Sequence, residues 1–166
     1  MRVGILTMSD RVYRKEREDL SGPLIKTLIE ERLGGQIEVM EVIPDELLEI
    51  RNRLIAWSDE LRLDLILTTG GTGFAPRDCT PEATVDILDR QAPGLAEAMR
   101  AASLRATPYG MLSRGVSGIR GRTLIINLPG NPKAVRENME TILPALPHAL
   151  ALLRGEPQAQ AEHELA

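Results

Sequence analysis

Aromatic side chains are almost missing from this chain: 166 residues include one Phe, one Trp and two Tyr. That scarcity excludes a protein that stacks nucleobases on aromatic platforms, and it leaves the core to Leu, Ile, Val, Met and Ala. Cysteine is as rare. Cys79 alone excludes an intramolecular disulfide and a multi-cysteine zinc site, and it fits a reducing compartment. Nowhere do about 18 apolar residues run together, and the opening MRVGILTMSD becomes charged too early for a signal peptide, so the chain reads as soluble and cytoplasmic with no membrane partner. Excess positive charge is also absent. A net charge of −4 and a pI near 5.3 exclude a general nucleic-acid binder but leave a small anionic ligand open. The two histidines read as incidental: His163 lies in the tail and His148 follows Pro147 on a late helix. Arginine outnumbers lysine 17 to 3, which reads as genomic composition or thermal preference ahead of phosphate recognition.

What is present suits one globular domain, residues 1–155, followed by a polar, frayed tail over 156–166. Short apolar runs at Val3–Met8, from Leu65, and at Thr123–Leu128 read as buried strands, and Ile37–Ile43 alternates like an edge strand. Helical spacing places Leu24, Ile25, Leu28 and Ile29 on one helix that stops at Gly34 and Gly35, and a second helix starts at Asp45. Further helices are expected over Pro81–Leu88, over Leu95–Arg105 and from Pro132 to Arg154, the last capped by Asn131 and interrupted by Pro144 and Pro147. Strands alternating with helices predict a three-layer α/β/α fold with a mainly parallel sheet. Ligands in such folds bind at the carboxyl ends of the strands, where Ser9 and Asp10, Asp45, the Gly70 loop and the Asn127–Pro132 turn all fall.

The segment LDLILTTGGTGFAPRDCTPEAT, Leu63 to Thr84, carries the most chemistry. A strand runs into Gly70, Gly71, Thr72 and Gly73, whose amides can turn toward an anion. Thr80 then reads as a helix N-cap with Pro81 in the first position and Glu82 against the dipole. A P-loop is excluded because no lysine lies between Lys26 and Lys133, and the dinucleotide fingerprint fails because Pro76 stands where its third glycine belongs. Asp78 fits either a local ion pair with Arg77 or a helix-terminus contact, or a magnesium ligand facing bound phosphates. Asp45 reads first as an N-cap, with a catalytic role left open by its rim position. Ser9, Asp10, Ser113 and Arg114 can be ordinary loop residues or can bind polar ligand groups. Cys79 and Trp57 read as structural.

In order along the chain, TMSD (Thr7–Asp10), IPDE (Ile43–Glu46), TTGGTG (Thr68–Gly73), PRDCTPEAT (Pro76–Thr84), LSRGVSGIRG (Leu112–Gly121) and LPGNP (Leu128–Pro132) resemble the molybdopterin adenylyltransferase family, over about Val3 to Gly155. The resemblance implies a trimeric α/β protein of molybdenum cofactor biosynthesis that uses Mg-ATP to adenylylate molybdopterin, releasing pyrophosphate. It implies Asp45 and Asp78 as the essential acidic pair and Mg²⁺ ligands, and Gly70, Gly71, Thr72 and Gly73 as the nucleotide phosphate loop. Ser9, Asp10, Ser103, Ser113, Asn127 and Gly130 become molybdopterin contacts, and a molybdenum-insertion protein becomes a possible partner. The loop from Arg11 to Glu18 departs from the pattern, being glycine-free and dense in charge, while Pro76-Arg77-Asp78 looks like the active branch. The alternatives are a noncatalytic molybdopterin-binding scaffold and, on the glycine loop alone, a nicotinamide or flavin oxidoreductase.

Overall fold

A computed structural model describes residues 1–157, 159 and 161 of the chain. His163 and most of the expected tail lie outside the described residues. A six-stranded sheet runs in the order β2-β1-β3-β6-β5-β4, from β2 (Gln36–Ile43) through β1 (Arg2–Met8), β3 (Leu65–Thr69), β6 (Thr123–Leu128) and β5 (Ser117–Arg120) to β4 (Arg90–Gln91). The first four strands are parallel and the last two antiparallel, so the expected mainly parallel α/β architecture is borne out. The alternating strand that reads as an edge, Ile37–Ile43, is the edge.

Side-chain alternation along the central strands divides the core between the two faces. Val3, Ile5, Leu65, Leu67, Leu124, Ile126 and Leu128 point to one side, where α2 (Ser21–Leu33), α5 (Pro93–Ala106), α6 (Pro132–Ile142) and α7 (Leu146–Arg154) supply Ile25, Ile29, Met99, Val135, Met139 and Leu150. Leu6, Met8, Ile66 and Ile125 point to the other, against Ile50, Leu54 and Trp57 of α3 (Leu47–Asp59) and Ala83 of α4 (Thr80–Val85). Trp57 is the one aromatic residue of the buried core.

Four local expectations are corrected. Helix α3 starts at Leu47, after Glu46, so Asp45 does not cap it: its carboxylate accepts the Asp10 amide instead. Thr80 is the first residue of α4, and its hydroxyl donates to the Gly70 carbonyl at 3.0 Å in place of capping the helix. The charged loop opens with a helical turn, α1 (Asp10–Tyr13), which Ser9 Oγ caps by accepting the Val12 amide. The segment beyond Ser113 pairs as β5 with β6 through a tight turn at Gly121 and Arg122, a strand too short and too glycine-broken to announce itself by alternation. The late helix does break at Pro144, where a 3₁₀ turn over Leu143–Ala145 separates α6 from α7. Asn131 caps α6 as expected, its Oδ1 accepting the Lys133 and Ala134 amides.

Candidate active site

The carboxyl ends of β1, β3 and β6 open into a cleft of about 300 Å³ whose walls include Ser9, Arg17, Asp19, Asp45, Gly70 and Asp78. Its floor is the turn after β3. Gly70 at φ +98 and Gly71 at φ +62 occupy backbone conformations that a β-carbon resists, and a β-carbon on Gly71 would meet the Thr80 hydroxyl and come within 3.1 Å of Asp45 Oδ1. Thr80 locks the turn twice, by its amide to Gly71 O and its hydroxyl to Gly70 O. Thr69 Oγ1 donates to Pro129 O at 2.7 Å and Ser21 Oγ to Gly130 O at 2.9 Å, tying the turn after β6 to the same rim.

Two neighbouring aspartates share this rim but face different surroundings. Asp10 and Asp45 exchange backbone bonds: the Asp10 amide donates to Asp45 Oδ2 at 2.9 Å, and the Asp45 amide to Asp10 Oδ1 at 3.1 Å. Arg77 then grips both oxygens of Asp10, at 2.9 and 3.0 Å, and reaches Glu46 at 2.9 Å. The guanidinium holds the Asp10 carboxyl below its ordinary range, while the two carboxylates push Arg77 further up. Asp45 is shifted the other way. Burial raises it most, against the Asp10 amide that lowers it, and the nearby charges of Asp10 and Asp78 add to the rise. Asp78 turns Oδ2 to the Ala75 amide at 3.0 Å and makes no ion pair with Arg77, so that bland reading is corrected. Cys79 beside them is pushed up by burial and is no thiolate nucleophile at neutral pH.

Arg114 acts as a clamp on the glycine loop. It donates to Gly73 O and Asp78 O, each at 2.7 Å, and pairs with Glu82, so its guanidinium binds protein rather than facing the cleft. Gly70 and Gly71 line the cleft, whereas Thr72 is buried and the Gly73 carbonyl is taken by Arg114.

A second groove of about 330 Å³ lies on the far side of the β6 turn and shares Asn131 with the first. Ser103, Thr107, Tyr109, Ser113 and Asn138 line it, and Ser103 Oγ donates to Asn138 Oδ1 at 3.1 Å. Asn127 lies beneath, 2% exposed. Its amide is fully committed, donating to Thr68 Oγ1 and Thr84 Oγ1 and accepting from Val116 N, so it holds β6, β3, α4 and the approach to β5 together. Of the sequence candidates, Ser9, Asp45, Gly70, Gly71, Asp78 and Gly130 therefore meet in the first cleft and Ser103 and Ser113 in the second. Asp10 and Asn127 support them from behind. Asp19 was missed: its Oδ1 accepts the Ser21 and Gly22 amides at the start of α2, and its Oδ2 the Thr7 hydroxyl. The signal was the Asp two residues ahead of Ser21, a helix-start pattern hidden inside a run of charges.

The α/β rim thus joins a glycine-floored, carboxylate-lined cleft to a polar groove that Lys133 and Glu137 also line. Residues 4–148 match the family described as probable molybdopterin binding domain, and the chain belongs to it. Molybdopterin adenylyltransferase of Helicobacter pylori is 45% identical over 92% of this chain and 88% of its own. Gephyrin of Dictyostelium discoideum is 46% identical over 95% of this chain, which spans only 23% of that longer protein. The crystal structure of the molybdopterin biosynthesis enzyme MoaB from Thermus thermophilus superposes with a TM-score of 0.88 at 54% identity, covering 94% of this chain and 98% of that one. The expected family and fold are both borne out.

Proposed function

We propose that this chain is a molybdopterin adenylyltransferase of molybdenum cofactor biosynthesis, joining ATP to molybdopterin with release of pyrophosphate. The observation that carries the reading is the pair Asp45 and Asp78 over the Gly70–Gly71 turn, in a cleft that adjoins the Ser103–Ser113 groove. The likeness along nearly the whole length of the Helicobacter enzyme supports it. No strong general base is needed, because a phosphate monoester is already largely ionised near neutral pH. The barrier is bringing two polyanions together, so positioning and charge neutralisation do most of the work.

The donor set fits Mg²⁺. Two carboxylates lie close enough to repel each other, Asp45 Oδ1 sits where a Gly71 β-carbon would intrude, and a hard cation completes its shell with water and substrate oxygens. Among the described residues no group of three or more His, Cys, Asp or Glu could hold a metal ion by itself, so water and phosphate oxygens would have to complete the shell. Bound there, Mg²⁺ supplies charge neutralisation to the phosphates. Asp45 and Asp78 hold the cation, and the Gly70–Gly71 turn positions the nucleotide beside it. Ser103 and Ser113 bind the polar edge of molybdopterin in the adjoining groove, with Asn127 fixing the strand between.

Among the described residues no helix is long and apolar enough to cross a membrane, and the proposed place of work is the cytoplasm. The same reading carries a homotrimer that hands its product to a molybdenum-insertion protein. Light scattering is expected to give about three times the chain mass, and a value near 18.3 kDa would overturn the trimer. The test of function is pyrophosphate release. It should require molybdopterin, ATP and Mg²⁺ together, and Asp78→Asn should lower it by about 10²–10³-fold, the scale of losing one electrostatic contact to the transition state. Molybdopterin binding without turnover in the folded wild type would return the noncatalytic scaffold.

A further inference from the structure

Four carboxylates, Glu18, Asp19, Asp45 and Asp78, line the cleft assigned to the phosphates, and among the described residues the one cation in its walls is Arg17. Three neighbouring guanidiniums are committed elsewhere, Arg77 to Asp10 and Glu46, Arg114 to Glu82 and the loop carbonyls, and Arg14 to Glu16 at 2.9 Å, while Arg11 and Lys15 of the same loop do not line the cleft. Arg17 makes no hydrogen bond or ion pair among the described residues. Its loop is nevertheless pinned at both ends. Asp10 is held by Asp45 and Arg77 on one side, and Asp19 by Thr7 and the α2 amides on the other. An unpaired, exposed arginine is thus carried to the mouth of an acidic cleft by an anchored segment.

We propose that Arg17 is the guanidinium that receives the nucleotide's β- and γ-phosphates, an inference that rests on the adenylyl-transfer reading above. In the transfer, an oxygen of molybdopterin's phosphate bonds to the α-phosphorus, the bond from that phosphorus to the bridging oxygen breaks, and its electron pair leaves with pyrophosphate. Negative charge therefore grows on the leaving group, where one Mg²⁺ against four carboxylates leaves a deficit of positive charge. A planar guanidinium can close two parallel N–H···O bonds on a phosphate, which an ammonium cannot match. The charged loop, glycine-free and without an explanation in the sequence, acquires a role: it is a short rigid arm for Arg17.

Calorimetry with Mg-ATP and steady-state kinetics on the full chain decide the matter. Arg17→Ala is expected to weaken Mg-ATP binding about tenfold, equivalent to roughly 1.4 kcal/mol, and to raise KM for ATP while leaving KM for molybdopterin unchanged. Arg17→Lys should recover part of the loss. The melting temperature should not move, because Arg17 has no partner to lose. Arg17→Ala binding Mg-ATP within twofold of wild type, or melting several degrees lower, would overturn the assignment. If wild type binds Mg-ATP and Arg17→Ala does not, yet neither releases pyrophosphate, the adenylyl-transfer reading falls and the phosphate contact stands. Failure of the wild type to bind Mg-ATP at all would remove both.

Discussion

The two adjoining depressions at the strand ends are built on opposite principles. The first is charged: carboxylates stand over a tight turn that positive-φ glycines shape. The second is lined mostly by side chains, hydroxyls and amides from α5, the following 3₁₀ turn (Pro108–Leu112) and α6, with the charges of Lys133 and Glu137 paired to each other at 3.9 Å. Charge in the first makes its occupant depend on cations and pH. Neutral donors and acceptors in the second discriminate by shape and hydrogen-bond pattern, where each contact is worth far less. The pair reads as a division of labour between handling phosphate charge and recognising a polar heterocycle.

That contrast can be broken most severely at Gly71. Gly71→Ala adds a β-carbon at φ +62 against Thr80 and Asp45, so about 1–3 kcal/mol of local strain is expected together with displacement of the Asp45 carboxylate. Pyrophosphate release should fall on the order of 10²-fold, as for misplaced reacting groups, while molybdopterin binding in the second groove persists. An activity assay paired with a binding titration separates the two, and equal losses in both would erase the division.

Next comes pH. The folded-state pKa of Asp45 is raised above 3.8, so its protonated form favours the fold; this contribution weakens as pH climbs from 3.8 through the raised value. Asp10 has the opposite sign: its contribution is present above 3.8 and is lost as pH falls through its lowered value. Urea midpoints measured against pH should therefore change slope in opposite senses in Asp45→Asn and Asp10→Asn. Binding of Mg²⁺ should also weaken below the Asp45 pKa, because proton and cation compete for one carboxylate. Coincident profiles for the two variants would contradict their different surroundings.

The smallest effects belong to the second groove. Ser103→Ala leaves Asn138 Oδ1 without its donor and should raise KM for molybdopterin several-fold, on the scale of one neutral hydrogen bond at about 1 kcal/mol, with KM for ATP unchanged. Steady-state kinetics with each substrate varied in turn provide the check. An effect on ATP alone would place the nucleotide in the second groove and reverse the assignment.

Much of this was legible locally. The strand–glycine–helix segment, the Asn131 cap, the edge strand and the break at Pro144 are patterns of a few neighbouring residues, and such patterns persist in the fold because short-range sterics and capping decide them. The ordered motifs carried the family as well. Asp45 and Thr80 were misassigned as caps because their local pattern fits one, while the partners that claim them, Asp10 and Gly70, come from other strands' ends.

What tertiary structure alone decided is which charges remain free. Arg77 follows Pro76 and precedes Asp78, yet its partners are Asp10, 67 residues away, and Glu46, 31 away. That pairing quenches Asp10, leaves Asp78 clear of its own neighbour and, among the described residues, leaves Arg17 as the unengaged cation of the cleft. Sequence determined the residue types and the elements that carry them to the rim. Only folding chose their partners, because an ion pair depends on distance in space between groups that the chain keeps far apart.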